Sequence, residues 1–184
     1  AFSDAADRLD PLNPRGRAAG AYLLMAWGRY PAALARLDEA LQLTPDFAGA
    51  HALRAIVLLQ EGRAADALAE AEREPMPSKR LQARALALHS LGRTAEADAA
   101  MRDLEALHAR GGTSAYALAC AAAWRGETDR AFAWLERAAA HDDREYDVDF
   151  AQLLVDPLLR PLHRDPRWPR LLERVGRSPA QLAA

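Results

Sequence analysis

The sequence predicts an all-α chain in which one helix–turn–helix unit recurs, and three observations predict it. Gly28, Gly62, Gly92 and Gly126 stand 34, 30 and 34 residues apart. Each has an alanine seven residues before it (Ala21, Ala55, Ala85, Ala119) and another five after it (Ala33, Ala67, Ala97, Ala131). On both sides of the glycines the apolar residues fall at helical spacing, most clearly over residues 14–27 and 31–43. A period of about 20–50 residues is the mark of stacked repeats. Glycine suits the turn because a helix commonly ends in a left-handed residue, a conformation that costs other residues about 1–2 kcal/mol. The paired alanines put a small side chain on each helix about equally far from the turn, so the two backbones can approach closely.

In order along the chain, Ala6 lies 34 residues before Ala40 and Pro11 lies 34 before Pro45. Residues 2–9 are therefore expected to be the second helix of an earlier repeat, which makes the chain the C-terminal piece of a longer protein. A capping helix at a true N-terminus is the alternative. The first full repeat spans 13–47: Asn13 caps its first helix with Pro14 in the first turn, and the second helix starts at Pro31 with Leu34, Leu37, Ala40 and Leu41 on its inner stripe. In the second repeat, 48–77, helices are expected over 47–61 and 64–74, and Glu74 stands where the first repeat has Ala40. The interval between glycines shrinks by four residues here, close to one helical turn, so the same face stays inward. Pro75 and Pro77 stiffen the following loop. The third repeat, 78–111, has helices over 78–91 and 94–110, with Ser78 and Thr94 as caps and Gly111-Gly112 as the stop. In the fourth, 112–143, Thr113 or Ser114 starts a helix reaching Trp124, and a second runs over 128–141.

Past this point the period ends. Residues 141–150 read as an acidic loop; it lacks the glycine and distant glutamate of a calcium-binding hand, so a solvated loop is expected rather than a cation site. Over 144–184, short helices at 150–155, 157–162 and 166–175, the last capped by Asp165, bring enough leucine and tryptophan to cover the open end of the stack.

Within this frame the residues resemble the tetratricopeptide repeat. The stretch Trp27-Gly28-Arg29-Tyr30-Pro31-Ala32-Ala33-Leu34, continued by Asp38-Glu39-Ala40-Leu41 and closed by Thr44-Pro45-Asp46, is similar to the turn and second helix of that family. The turns around Gly62, Gly92 and Gly126 repeat the pattern with decreasing completeness. The resemblance implies a right-handed α-α superhelix of about four repeats plus a C-terminal helical cap. The ending, from Asp156-Pro157-Leu158-Leu159-Arg160-Pro161-Leu162 through Asp165-Pro166-Arg167-Trp168 to Gly176, resembles the close of many bacterial signalling proteins in which such an array follows a cyclase, kinase or winged-helix domain.

Composition narrows the function. With 51% hydrophobic and 27% charged residues and a net charge of -2, the chain of 184 residues has an ordinary soluble balance and no cause to bind nucleic acid. One cysteine, Cys120, excludes an internal disulfide and a multi-cysteine metal site. No apolar run approaches the length of a membrane span, and the first residues do not read as a signal peptide; the cytoplasm is the favoured location. The five histidines fall in separate elements, with no metalloprotease, phosphate-loop or nucleophile-elbow motif. Cys120, among alanines, reads as a buried inert thiol, and Glu70, Glu72 and Glu74 read as a solvated outer face. No catalytic constellation and no cofactor is expected.

What remains is a surface. Carried over by register, the family's inward-facing positions fall on Tyr22, Met25, Ile56, Leu59, Lys79, Gln82, Leu86, His89, Tyr116 and Trp124. The resemblance implies that these line a concave, largely apolar groove for a peptide or helix of a partner, or of the same protein's missing N-terminal domain. For Ile56, Leu59 and Leu86 a place in the core is the competing assignment. The family's clamp for acidic chaperone tails needs basic and amide side chains where this chain has Ala18, Tyr22, Leu53 and Ala83, with Lys79 alone in the basic role, so such tails are not expected to bind. A self-association scaffold for a bacterial signalling or transcription regulator is the alternative function.

Overall fold

The computed structural model describes residues 13–140 and 150–176; the helix expected over residues 2–9 and the acidic loop after His141 lie outside the described residues. Helices are α1 (Pro14–Ala26), α2 (Tyr30–Leu43), α3 (Ala50–Gln60), α4 (Ala64–Arg73), α5 (Pro77–Ser90), α6 (Thr94–Ala109), α7 (Ala115–Trp124), α8 (Thr128–Ala140) and α9 (Trp168–Arg174), with two 3₁₀ turns, Phe150–Leu154 and Arg160–Arg164. Among the described residues the fold is all-α, with helices packed in successive pairs, as a tetratricopeptide array requires. The chain divides into two units, the first ending at Ala100 and the second beginning at Met101.

The turn that ends the first helix of each pair has the same construction four times. Gly28, Gly62, Gly92 and Gly126 have φ of 73°, 76°, 71° and 74°. Each glycine N–H donates to the carbonyl three residues back, as Gly28 to Met25 at 2.9 Å, and the next residue's N–H donates to the carbonyl five back, as Arg29 to Leu24 at 2.8 Å. This doubly bonded ending satisfies two carbonyls that would otherwise be orphaned. The residue after the glycine is already the cap of the next helix: Ala33 donates to Arg29 and Ala67 to Arg63, each at 3.0 Å. The turn therefore has no spare residue, and this is why the distance from alanine to glycine to alanine is invariant.

In the first unit α1 packs on α2, α2 on α3, and α3 on both α4 and α5. Ala21, Met25, Ala33, Leu37, Ala50 and Val57 form one buried cluster, with Tyr22, Leu24, Leu34, Phe47 and Ile56 against it. Each fully buried leucine-sized side chain contributes about 1.5–3 kcal/mol. The caps are less regular than the turns. Asn13 Oδ1 accepts from Arg15 N at 3.0 Å and Gly16 N at 3.2 Å, as expected. The next first helix starts at Ala50 and not at Phe47, because Thr44–Phe47 closes a turn of its own and Gly49 is left-handed at φ 90°. Ser78 is not a cap: α5 begins one residue earlier, with Pro77 in its first turn after Met76.

The second unit is built on α7, in which every residue from Ala115 to Ala123 is buried. Ser114 caps it, accepting from Ala117 N at 3.3 Å. The chain after Phe150 packs against the α7–α8 pair: the Arg160–Arg164 turn meets α7, and α9 meets α8. Leu153, Leu158, Leu159, Leu162, Trp168, Leu171 and Leu172 are all buried. Its prolines keep the segment in short turns. Asp156 Oδ1 accepts from Leu158 N and Asp165 Oδ1 from Arg167 N, both at 2.9 Å, so each Asp-Pro pair closes a turn through its own side chain. Asp165 thus closes a turn just ahead of α9, whose own cap is Arg167. Arg167 also lies 4.3 Å over the Phe132 ring and bonds Asp129 at 2.8 Å, pinning this turn to α8.

Candidate functional site

The sequence-derived surface divides into three groups. Met25, Leu59, Leu86, Gln82 and Tyr116 are buried, at 1%, 5%, 0%, 7% and 8% exposure. Tyr22, Ile56, His89 and Trp124 are half-buried, and Lys79 is exposed. In the first unit α3 lies between α1 and α5. Tyr22 and Ile56, both six residues before a turn glycine, pack on the same core cluster; Lys79 and His89 sit on α5 near its two ends. The accessible part of this face is thus an aromatic ring, an aliphatic side chain, an imidazole and an ammonium.

In the second unit Tyr116 is bound into the fold. Its hydroxyl donates to Asp156 Oδ2 at 2.9 Å, and the Cys120 thiol lies 3.7 Å from the same oxygen. Asp156 is 6% exposed, and its other oxygen takes the Leu158 amide. A buried carboxylate needs such donors to offset its lost hydration. Nearby, the His163 ring lies 4.5 Å from Trp168. Burial is the main cause that holds its pKa below the ordinary histidine value, with the Arg160 charge adding to it and the Leu153 backbone and Asp156 opposing. The Arg167 hydrogen bonds hold the Asp165 carboxyl down to about 2.

Sequence reasoning missed a polar network in the first unit and misplaced its acids. Glu74 is fully buried, not on a solvated face. Its Oε1 accepts from Gly49 N at 2.9 Å and Met76 N at 3.0 Å, and its Oε2 from Ala52 N at 3.0 Å. Arg80 donates to the Glu74 carbonyl at 3.0 Å. A residue at the end of α4 thereby caps the start of α3, closing the pair at the end opposite its glycine turn. Glu70 is largely covered as well: His51 Nδ1 lies 2.7 Å from its Oε2, and His51 Nε2 lies 3.3 Å from the Pro45 carbonyl. Arg54, paired with Asp38, stands 3.5 Å from Glu70 Oε1. Glu72 alone of the three keeps an exposed position. The signal that could have found Glu74 was its register with Ala40, on the buried stripe of the preceding repeat.

Among the described residues no group of three or more His, Cys, Asp or Glu is placed to hold a metal ion, and no helix is long and apolar enough to cross a membrane. No curated protein matches the chain. A family model described as the TPR repeat, the tetratricopeptide repeat, matches residues 21–62. Domains of this kind are generally protein–protein interaction modules and typically non-catalytic.

Proposed function

Residues 21–62 being a tetratricopeptide repeat, we propose that the chain holds a short apolar segment of another polypeptide against the first helices of its repeats. The observation that carries this reading is the partial exposure of Tyr22 and Ile56 at one register position on adjacent first helices, beside the cluster that anchors them. Side chains held rigidly from beneath lose little freedom on binding, and tyrosine is a common anchor in such interfaces. His89 and Lys79 add polar ends that would orient the segment. The buried Met25, Leu59, Leu86 and Gln82 of the same unit serve the surface from below, as its support.

The test is a random peptide library displayed on phage and selected on the immobilised protein. Apolar sequences should be recovered, and the affinity of a recovered peptide, read by fluorescence anisotropy, should fall tenfold or more in Ile56→Arg, a loss of about 1.4 kcal/mol, while helical circular dichroism is unchanged. Selection yielding nothing above background, or binding indifferent to Ile56→Arg in a folded variant, refutes the proposal.

A further inference from the structure

We infer that the outer face of α1 pairs with the same face of a second copy of the chain, the two helices running antiparallel. From Pro14 to Trp27 the exposed residues are Arg15, Ala19, Leu23 and Trp27, each four positions from the next, so they form one ridge along the helix. Leu23 is 41% exposed and Trp27 68%. The ridge is out of keeping with the later first helices, where the residue five before the turn glycine is Val57, Ala87 or Ala121, each 0% exposed. It includes neither Tyr22 nor Ile56, so it stands apart from the peptide surface proposed above.

The occupant follows from the ridge being complementary to itself. Turned end for end about a point midway between Ala19 and Leu23, it sets each Leu23 against the Ala19 of the other copy and each Trp27 against the Arg15 of the other copy. A bulky side chain then meets a small one at the centre, where the backbones come nearest. At the two ends, where the helices diverge, long side chains bridge the gap, and a guanidinium over an indole is an attractive pair. Ridges built on four-residue spacing interdigitate when the helices cross at about 50°. Arg15 is available for this contact: Glu39 is taken by Arg17 and Arg36 and Asp38 by Arg54, and among the described residues no carboxylate pairs with Arg15. A two-fold contact is closed, so association stops at a dimer, and a ridge of this size makes that dimer a weak one.

Sedimentation velocity over about 10–500 µM protein tests the association. A monomer–dimer equilibrium is expected, with a dissociation constant that rises at least tenfold in Trp27→Ala and in Arg15→Glu and is unchanged in Leu91→Ala, the exposed residue at the matching place beside Gly92. Cross-linking tests the direction. In a Cys120→Ala background, Ala19→Cys chains mixed with Leu23→Cys chains should form a disulfide between chains faster under mild oxidation than either kind alone. All the substituted ridge positions are exposed, so folding is not at stake. A chain that stays monomeric through that range leaves the ridge to its own residues or to an unrelated partner and overturns the inference. A dimer indifferent to Arg15→Glu overturns it as well, as does linkage that favours like with like.

Discussion

Replacing Glu74 isolates the contribution of the clasp that closes the second helix pair. Its carboxylate accepts three backbone N–H groups, those of Gly49, Ala52 and Met76, and the Ala52 bond is buried. Hydrogen bonds to a charged group contribute about 1.5–3 kcal/mol each, and a buried donor left unpaired costs about 1–3 kcal/mol. The bonds to Gly49 and Met76 are only part-buried, so water recovers most of their share once the side chain is gone. Glu74→Ala should therefore cost about 2–4 kcal/mol. Alanine itself introduces no strain, since Ala40 occupies the matching place in the first pair. Glu74→Gln keeps an oxygen for Gly49 and Met76 but turns its amide toward the Ala52 donor, at a cost of about 1–2 kcal/mol. Urea unfolding followed by circular dichroism gives the magnitudes, and amide hydrogen exchange gives the location, with faster exchange expected at Ala52 and Gly49. A Glu74→Ala protein within about 0.5 kcal/mol of the parent, the range of ordinary surface substitutions, would refute the reasoning, as would unaltered exchange at those two amides.

Two further outcomes follow from the geometry. Ala55, fully buried seven residues before Gly62, should resist enlargement: Ala55→Leu is expected to cost about 1–3 kcal/mol through overpacking, against less than about 0.5 kcal/mol for Ala65→Leu on an exposed face, both by urea titration, with equal costs counting against the close crossing. His163 supplies a pH dependence. Its pKa is depressed in the folded protein, so the unfolded chain binds the extra proton more readily, and its contribution is fully present above the ordinary histidine value of about 6.5 and is lost as pH falls below it. The drop in thermal midpoint between pH 7 and pH 5 should be smaller in His163→Phe than in the parent, and an identical drop would contradict the assignment.

The turns were legible because the backbone there demands a residue type: a φ near 73° selects glycine, and a turn with no spare residue fixes the alanines on either side. Asn13 and Ser114 were legible for a similar reason, since few side chains accept a bond from the amides that follow them. The acids of α4 were not. Glu70, Glu72 and Glu74 alternate in the way a solvated face does, and only the comparison of Glu74 with Ala40 distinguishes a residue two of whose three amide partners lie 22 and 25 positions away. The same limit applies to Tyr116. Its register places it on the inward face of a first helix, but its hydroxyl is bound by Asp156, 40 residues on, in a segment outside the repeat. Periodicity reports what a repeat does to itself and is silent about what a non-repeating tail brings to it.

The Asp156 site also gives the molecule a clock that needs no engineering. Cys120, the single cysteine of the chain, is 1% exposed, and its sulfur sits beside the carboxylate that fastens the C-terminal turns to α7. A thiol in that position is sealed from aqueous reagents while the fastening holds. Its modification therefore times the lifting of one short segment, and the unaltered protein carries its own record of how often its end comes undone.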